Sequence, residues 1–167
     1  NLVAYQKETR ELVYLPAYYE AEQYIADRIG VLRDFSAPED QEIYLDLIKR
    51  EETEQGIQYA ELQRKAILSA LSRGLLILTG GPGTGKTTTL NGMISLFEKQ
   101  GYQVMLAAPT GRAAQRISDL TGYEAKTIHR LLEVEFDMAG ATKFRHNESN
   151  PLTCDVMIVD EMSMVDV

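Results

Sequence analysis

The segment Gly80-Gly81-Pro82-Gly83-Thr84-Gly85-Lys86-Thr87 places four glycines, a lysine and two threonines within eight positions. Glycines let a backbone curl until successive N–H groups point at phosphate oxygens, and a helix that follows adds its positive N-terminal end. Lys86 would then reach the terminal phosphates of a nucleotide, and the Thr87 hydroxyl would hold Mg²⁺. The expected nucleotide contacts in this loop are Gly81, Pro82, Gly83, Thr84, Gly85, Lys86, Thr87 and Thr88. Farther along, Asp160-Glu161 follows the apolar run Val156-Met157-Ile158-Val159. A carboxylate at the C-terminal end of a parallel strand can hold Mg²⁺ through water, which gives Asp160 the metal role beside Thr87. Its neighbour Glu161 can orient and deprotonate the attacking water. Taken alone, such an acidic pair is a solvated strand end. Together with the phosphate loop it predicts hydrolysis of ATP, with Lys86, Asp160 and Glu161 as the catalytic set.

The surrounding elements must position these groups. Leu75-Leu76-Ile77-Leu78-Thr79 reads as a strand buried on both faces, as do Val104-Met105-Leu106-Ala107-Ala108 and residues 156–159. Between the first two, Leu90, Met93, Ile94 and Phe97 recur at helical spacing, and Gly101 ends that helix. Strand, helix, strand predicts an α/β fold with a parallel sheet. Upstream, a helix is expected from Tyr14 to Leu32 and a second begins at the capping pair Ser36 and Glu39 and closes at Gly56. A third runs from about Tyr59 to Leu71. Residues 1–58 are therefore expected to be a small helical region preceding an ATPase domain at 59–167. Alternation at 133–136 and 142–145 predicts a β-hairpin insertion over 133–146.

Composition limits the options. The net charge is −8, and residues 1–58 carry 6 Lys and Arg against 13 Asp and Glu. Residues 59–167 hold 11 against 12. An acidic chain is a poor general binder of polyanions, so any nucleic-acid contact must be local. No apolar run is long enough to span a membrane. The single cysteine, Cys154, allows no intrachain disulfide and fits a cytoplasmic location. The chain starts without Met and stops soon after its third apolar run, which reads as a fragment whose parallel sheet is truncated.

Four motifs then occur in a telling order. They are Gly80 to Thr87, Ala108-Pro109-Thr110-Gly111-Arg112-Ala113-Ala114, Thr127-Ile128-His129-Arg130-Leu131-Leu132, and Val159-Asp160-Glu161-Met162-Ser163-Met164. This order resembles RecD-like DNA helicases of superfamily 1. The segments around Tyr14-Leu15-Pro16 and Phe144-Arg145-His146-Asn147-Glu148 are similar to the same family. The resemblance implies a RecA-like P-loop motor using ATP and Mg²⁺ to move 5′ to 3′ on single-stranded DNA and separate duplex DNA, in repair and recombination. It implies that Gln63 reads the adenine edge, whereas the residue alone reads as a surface glutamine. It implies that Pro109, Thr110, Gly111 and Arg112 touch the DNA backbone, against the competing reading of a helix cap with a solvated arginine. Thr127 and His129 would form a second DNA-facing element, although both residue types also cap helices. The hairpin would be a strand-separating pin, or else a solvated cover for the sheet.

Motifs that such helicases carry farther on, including an arginine finger, do not occur, so the chain by itself is expected to be inactive. Two other readings compete: the helicase part of a conjugative relaxase, and an ATP-dependent regulatory switch that unwinds nothing. Protein partners are not identified by any motif.

Overall fold

The computed structural model of the chain describes residues 3–7, 10–35, 41–81, 83–136 and 142–166. The expected cap at Ser36–Glu39, Pro82 of the glycine-rich loop, and the hairpin tip at 137–141 lie outside the described residues. The chain opens with two strands, β1 (Val3–Lys7) and β2 (Arg10–Tyr14), paired antiparallel with Val3 opposite Tyr14 and Lys7 opposite Arg10. Residues 1–58 are expected to be helical, so this hairpin corrects the expectation of an all-helical start. Each strand carries only five residues, too few for alternation to stand out from an irregular segment.

Helix α1 (Pro16–Asp34) has proline in its first turn, where the missing N–H costs nothing. It buries no residue. Helix α2 (Gln41–Gln55) buries Ile48 and Glu51, and Gly56 ends it at a φ of 64°. Helix α3 (Glu61–Ser72) buries Ile67 and Leu71. At its start the Gln63 Oε1 accepts the Ala60 N–H at 2.8 Å, one half of a capping box; alanine has no side-chain acceptor for the other half. Helix α4 (Lys86–Lys99) buries Met93, Ile94, Leu96 and Phe97.

These three helices share one apolar cluster of Ile48, Tyr59, Ile67, Leu71, Met93, Leu96 and Phe97. Their approach is close: a Cβ at Gly92 would lie 2.3 Å from the Tyr59 hydroxyl oxygen. Glu51 is only 1% exposed, and its carboxylate accepts from Lys99 Nζ at 2.5 Å. Glu52 joins α2 to the start of α3, accepting from the Tyr59 N–H at 2.8 Å and from Arg64 Nη2 at 2.7 Å.

The sheet is parallel, in the order β4–β3–β7. Strand β3 (Val104–Ala108) matches its expected limits and lies at the centre. Helix α5 (Gly111–Thr121) connects it to β4 (Ala125–Thr127), a three-residue strand too short to be read from sequence. Helix α6 (Ile128–Leu131) follows directly. Strands β5 (Val134–Phe136) and β6 (Thr142–Phe144) form the expected antiparallel hairpin, with Glu135 opposite Lys143. Strand β7 (Val156–Val159) pairs with β3 in register from Val104↔Val156 to Ala107↔Val159, and a 3₁₀ turn at Met162–Met164 follows.

One expected strand does not form. Residues 75–79 have no ladder partner, and Ile77 is 79% exposed. A continuous apolar run becomes a strand only where an adjacent edge takes up its N–H and C=O groups. Among the described residues no strand lies beside this run, so the βαβ unit expected around α4 is formed instead by β3, α5 and β4.

Candidate nucleotide-binding and hydrolysis site

The glycine-rich loop is shaped by its own residues. Gly83 and Gly85 have φ values of 73° and 77°, in the left-handed region where glycine carries no Cβ penalty. At Gly85 a second constraint applies, because a Cβ there would sit 2.2 Å from Gln63 Nε2. The Thr84 Oγ1 donates to the Gly81 carbonyl at 2.9 Å. Lys86 folds back over the loop, its Nζ donating to the Gly80 carbonyl at 2.5 Å and the Gly81 carbonyl at 2.7 Å.

Gly85 is the N-cap of α4 and offers no side-chain cap, and no acidic residue occupies the first turn. The first N–H groups of the helix therefore keep donors for an anion, and Lys86 adds a positive charge beside them. Gln63 lies against this loop, its Nε2 donating to the Gly85 carbonyl at 3.2 Å. Thr87 and Thr88 fall in the first turn of α4.

The other predicted residues gather at the C-terminal end of the parallel sheet. Ala108 pairs with Thr127 and Ala107 with Val159, so Thr110 and Asp160, which follow β3 and β7, and Thr127, which ends β4, lie at the same end. The Asp160 N–H donates to the Ala107 carbonyl at 3.0 Å, fixing the backbone where β7 stops. Glu161 comes next with a φ of 54°, a left-handed conformation that few non-glycine residues adopt. Its carboxylate lies 3.9 Å from Arg116 Nη1 on α5. Helix α4 leads by a short turn into β3 and packs on it.

Thr110 is the N-cap of α5 and accepts the Ala113 N–H at 3.2 Å. Thr127 caps α6 in the same way, accepting from the Arg130 N–H at 3.2 Å. The capping readings of both threonines are thus realised. Arg112 is exposed in the first turn of α5, where a cation opposes the helix dipole; no acid is there to offset it. Pro109 and Gly111 flank Thr110 on either side. The exposed His129 lies with its ring centroid 6.1 Å from that of Phe144 in β6, which sets the hairpin base beside α6. Arg145 strengthens that base through an ion pair with Glu133 at 2.8 Å.

The loop and the acidic pair are not bonded to each other. Among the described residues no hydrogen bond or ion pair joins Lys86 or Thr87 to Asp160 or Glu161. No group of three or more His, Cys, Asp or Glu that could hold a metal by itself occurs among them. Thr87 and Asp160 are hard oxygen donors, which fit a magnesium ion that keeps most of its ligands as water and phosphate oxygens.

The family model described as AAA domain matches residues 63–167, from Gln63 through the loop and Asp160-Glu161. The chain belongs to that family. Within it the chain is RecD-like: it is 39% identical over 153 residues to the ATP-dependent RecD2 DNA helicase of Deinococcus radiodurans, an alignment covering 92% of this chain and 20% of that protein. It is 36% identical to the RecBCD enzyme subunit RecD of Mycolicibacterium smegmatis, covering 93% of this chain and 30% of that protein. The RecD subunit of Haemophilus influenzae is 32% identical, with coverages of 89% and 26%. The chain thus spans between 20% and 30% of the length of these curated relatives. This is an enzyme family of helicases. Among the described residues no helix is long and apolar enough to cross a membrane.

In this RecD-like chain one residue beside the acidic pair, Arg116, is not among those expected from sequence. The available signal was its position one helical turn after Arg112, which puts both guanidinium groups on one exposed face of α5.

Proposed function

We propose that this chain supplies the ATP-binding face of a DNA motor, with residues 59–167 as the motor region and 1–58 as an accessory region. In the whole protein the motor would move 5′ to 3′ along single-stranded DNA and separate duplex ahead of it. The observation that supports this most is the uncapped start of α4 behind the Lys86 loop, combined with Asp160-Glu161 ending a strand next to β3. The starts of α5 and α6 lie at the same end of the sheet, so nucleotide and DNA would bind on neighbouring loops.

In this reading the loop N–H groups and Lys86 hold the phosphates of ATP, and Gln63 sits against the loop to meet the adenine. Thr87 and Asp160 hold Mg²⁺, whose chemistry is to neutralise the charge that develops on the transferred phosphate. Glu161 takes the proton from the attacking water. Thr110, Gly111 and Arg112 present a hydroxyl, an open backbone and a guanidinium to a DNA phosphate, with Pro109 shaping the turn. Thr127 and His129 flank this track beside the hairpin base, which suits a pin that meets the duplex. The relatives named as RecBCD subunits suggest partner subunits in a cytoplasmic complex.

Hydrolysis by the full-length protein should rise sharply when single-stranded DNA is added. Duplexes with a 5′ single-stranded tail should be separated and those with a 3′ tail should not. Hydrolysis indifferent to DNA would replace the motor with a switch that acts on another partner.

A further inference from the structure

We propose that Arg116 is a positioning residue that holds Glu161 in a resting place, and that single-stranded nucleic acid on α5 releases it. This rests on the hydrolytic role proposed for Glu161. Three observations carry it. Arg116 Nη1 stands 3.9 Å from Glu161 Oε1, so the guanidinium of a helix and the carboxylate after β7 form an ion pair across two elements. The Arg116 side chain is 72% exposed and that of Glu161 42%, so a polyanion can reach the arginine without unfolding anything. Arg116 also lies one helical turn beyond Arg112 on the exposed face of α5, so two guanidinium groups follow one another away from the helix start.

The consequence is an exchange of partners. A nucleic-acid strand that puts one phosphate at the start of α5 brings the next one along the helix toward Arg116. A phosphate and a carboxylate compete for the same planar donors, and the phosphate comes with neighbours that add to its field. When Arg116 turns to the strand, the Glu161 carboxylate loses its restraint and can swing to the attacking water. Glu161 has a left-handed φ of 54°, so the exchange is one of side chains and leaves the backbone where it is. An exposed pair at this separation is weak, and a weak pair is what a reversible exchange requires. Hydrolysis is then low without DNA because the base is held away, and rises with DNA because it is let go.

The test compares parent, Arg116→Gln, Arg116→Lys and Glu161→Gln versions of the full-length protein, with and without saturating oligothymidylate. Arg116→Gln should raise the DNA-free turnover number by about two- to fivefold, the ceiling an exposed ion pair allows. The KM for ATP should stay unchanged, and the ratio of DNA-stimulated to DNA-free rates should fall. Arg116→Lys, which keeps the charge, should restore most of the low DNA-free rate. A purely structural arginine would instead lower the melting temperature and both rates together, and that result overturns the inference. A DNA-free rate in Arg116→Gln at or below the parent's overturns it as well. Glu161→Gln separates the two levels. If it is inactive while Arg116→Gln keeps the parent's DNA-free rate, only the positioning role is lost. If Glu161→Gln hydrolyses at the parent rate, the base assignment falls, and the role of Arg116 falls with it.

Discussion

The α2–α3–α4 cluster and the C-terminal end of the sheet are built on opposite terms. In the cluster, Ile48, Ile67 and Leu96 are at most 2% exposed, and even a carboxylate, Glu51, is enclosed and paired. At the sheet end Lys86, Thr110, Arg112, His129, Asp160 and Glu161 are all exposed, each fixed by its place at an element boundary. One α4 helix serves both. Its C-terminal half is packed into the cluster, and its N-terminus carries the phosphate loop. Burial fixes the helix, and the helix in turn aims exposed groups that must stay open to ligands. Substitutions at the sheet end should therefore change turnover with little change in stability, and substitutions in the cluster should do the reverse.

The largest effect should come from Lys86→Ala, which should abolish ATP hydrolysis by the full-length protein while leaving its melting temperature near the parent's. Nothing else in the loop neutralises terminal phosphates. A steady-state assay with a thermal melt on the same sample checks both halves of the claim; a large drop in melting temperature would mean that the lysine's bonds to the Gly80 and Gly81 carbonyls matter more than its charge. Next, Ile67→Ala should destabilise the protein by about 2–5 kcal/mol, the usual cost of truncating a fully buried isoleucine. Denaturant titration measures it, and turnover per folded molecule should hold. Lys99→Met should cost about 3 kcal/mol, because it leaves Glu51 enclosed without its partner. Replacing Phe136 to Arg145 by a short Gly-Ser turn tests the pin. Strand separation should be lost while DNA-stimulated hydrolysis survives; if both fall with the melting temperature, the hairpin is only a cover.

The smallest effect concerns acid. Burial of Glu52 would raise its pKa, but the hydrogen bonds from Arg64 and the Tyr59 N–H outweigh this and hold it below the ordinary 4.5. A carboxyl depressed in the folded state contributes stability above its unfolded pKa, and that contribution is lost as pH falls through the folded value. The stability difference between parent and Glu52→Gln should thus be full at neutral pH and shrink below pH 4.5. A difference that stays constant into acid would assign the effect to packing.

Most of the architecture could be read from local pattern. Helices α1 and α3 fall close to the ranges their spacing gives, α2 closes at Gly56, α4 ends just before Gly101, and the β5–β6 hairpin follows its alternation. What pattern could not give was partnership. Residues 75–79 and 104–108 are equally apolar runs, yet only the second finds an edge on each side. Helix α1 has helical spacing and buries nothing, because periodicity states which face is apolar and not what covers it. At the site, the loop and Asp160-Glu161 were readable because their chemistry fixes residue types at short range. Arg116 was not, since its meaning depends on a contact between α5 and the end of β7, 45 residues apart along the chain.

The central claim is that the Lys86 loop and Asp160-Glu161 are two halves of one ATP-hydrolysing site. The direct measurement is nucleotide affinity and DNA-stimulated turnover of Glu161→Gln in the full-length protein, taken on one preparation. ATP binding should match the parent, and turnover should fall by about 10²–10⁴-fold, the usual worth of a positioned general base. Turnover at the parent rate with binding intact would contradict the claim.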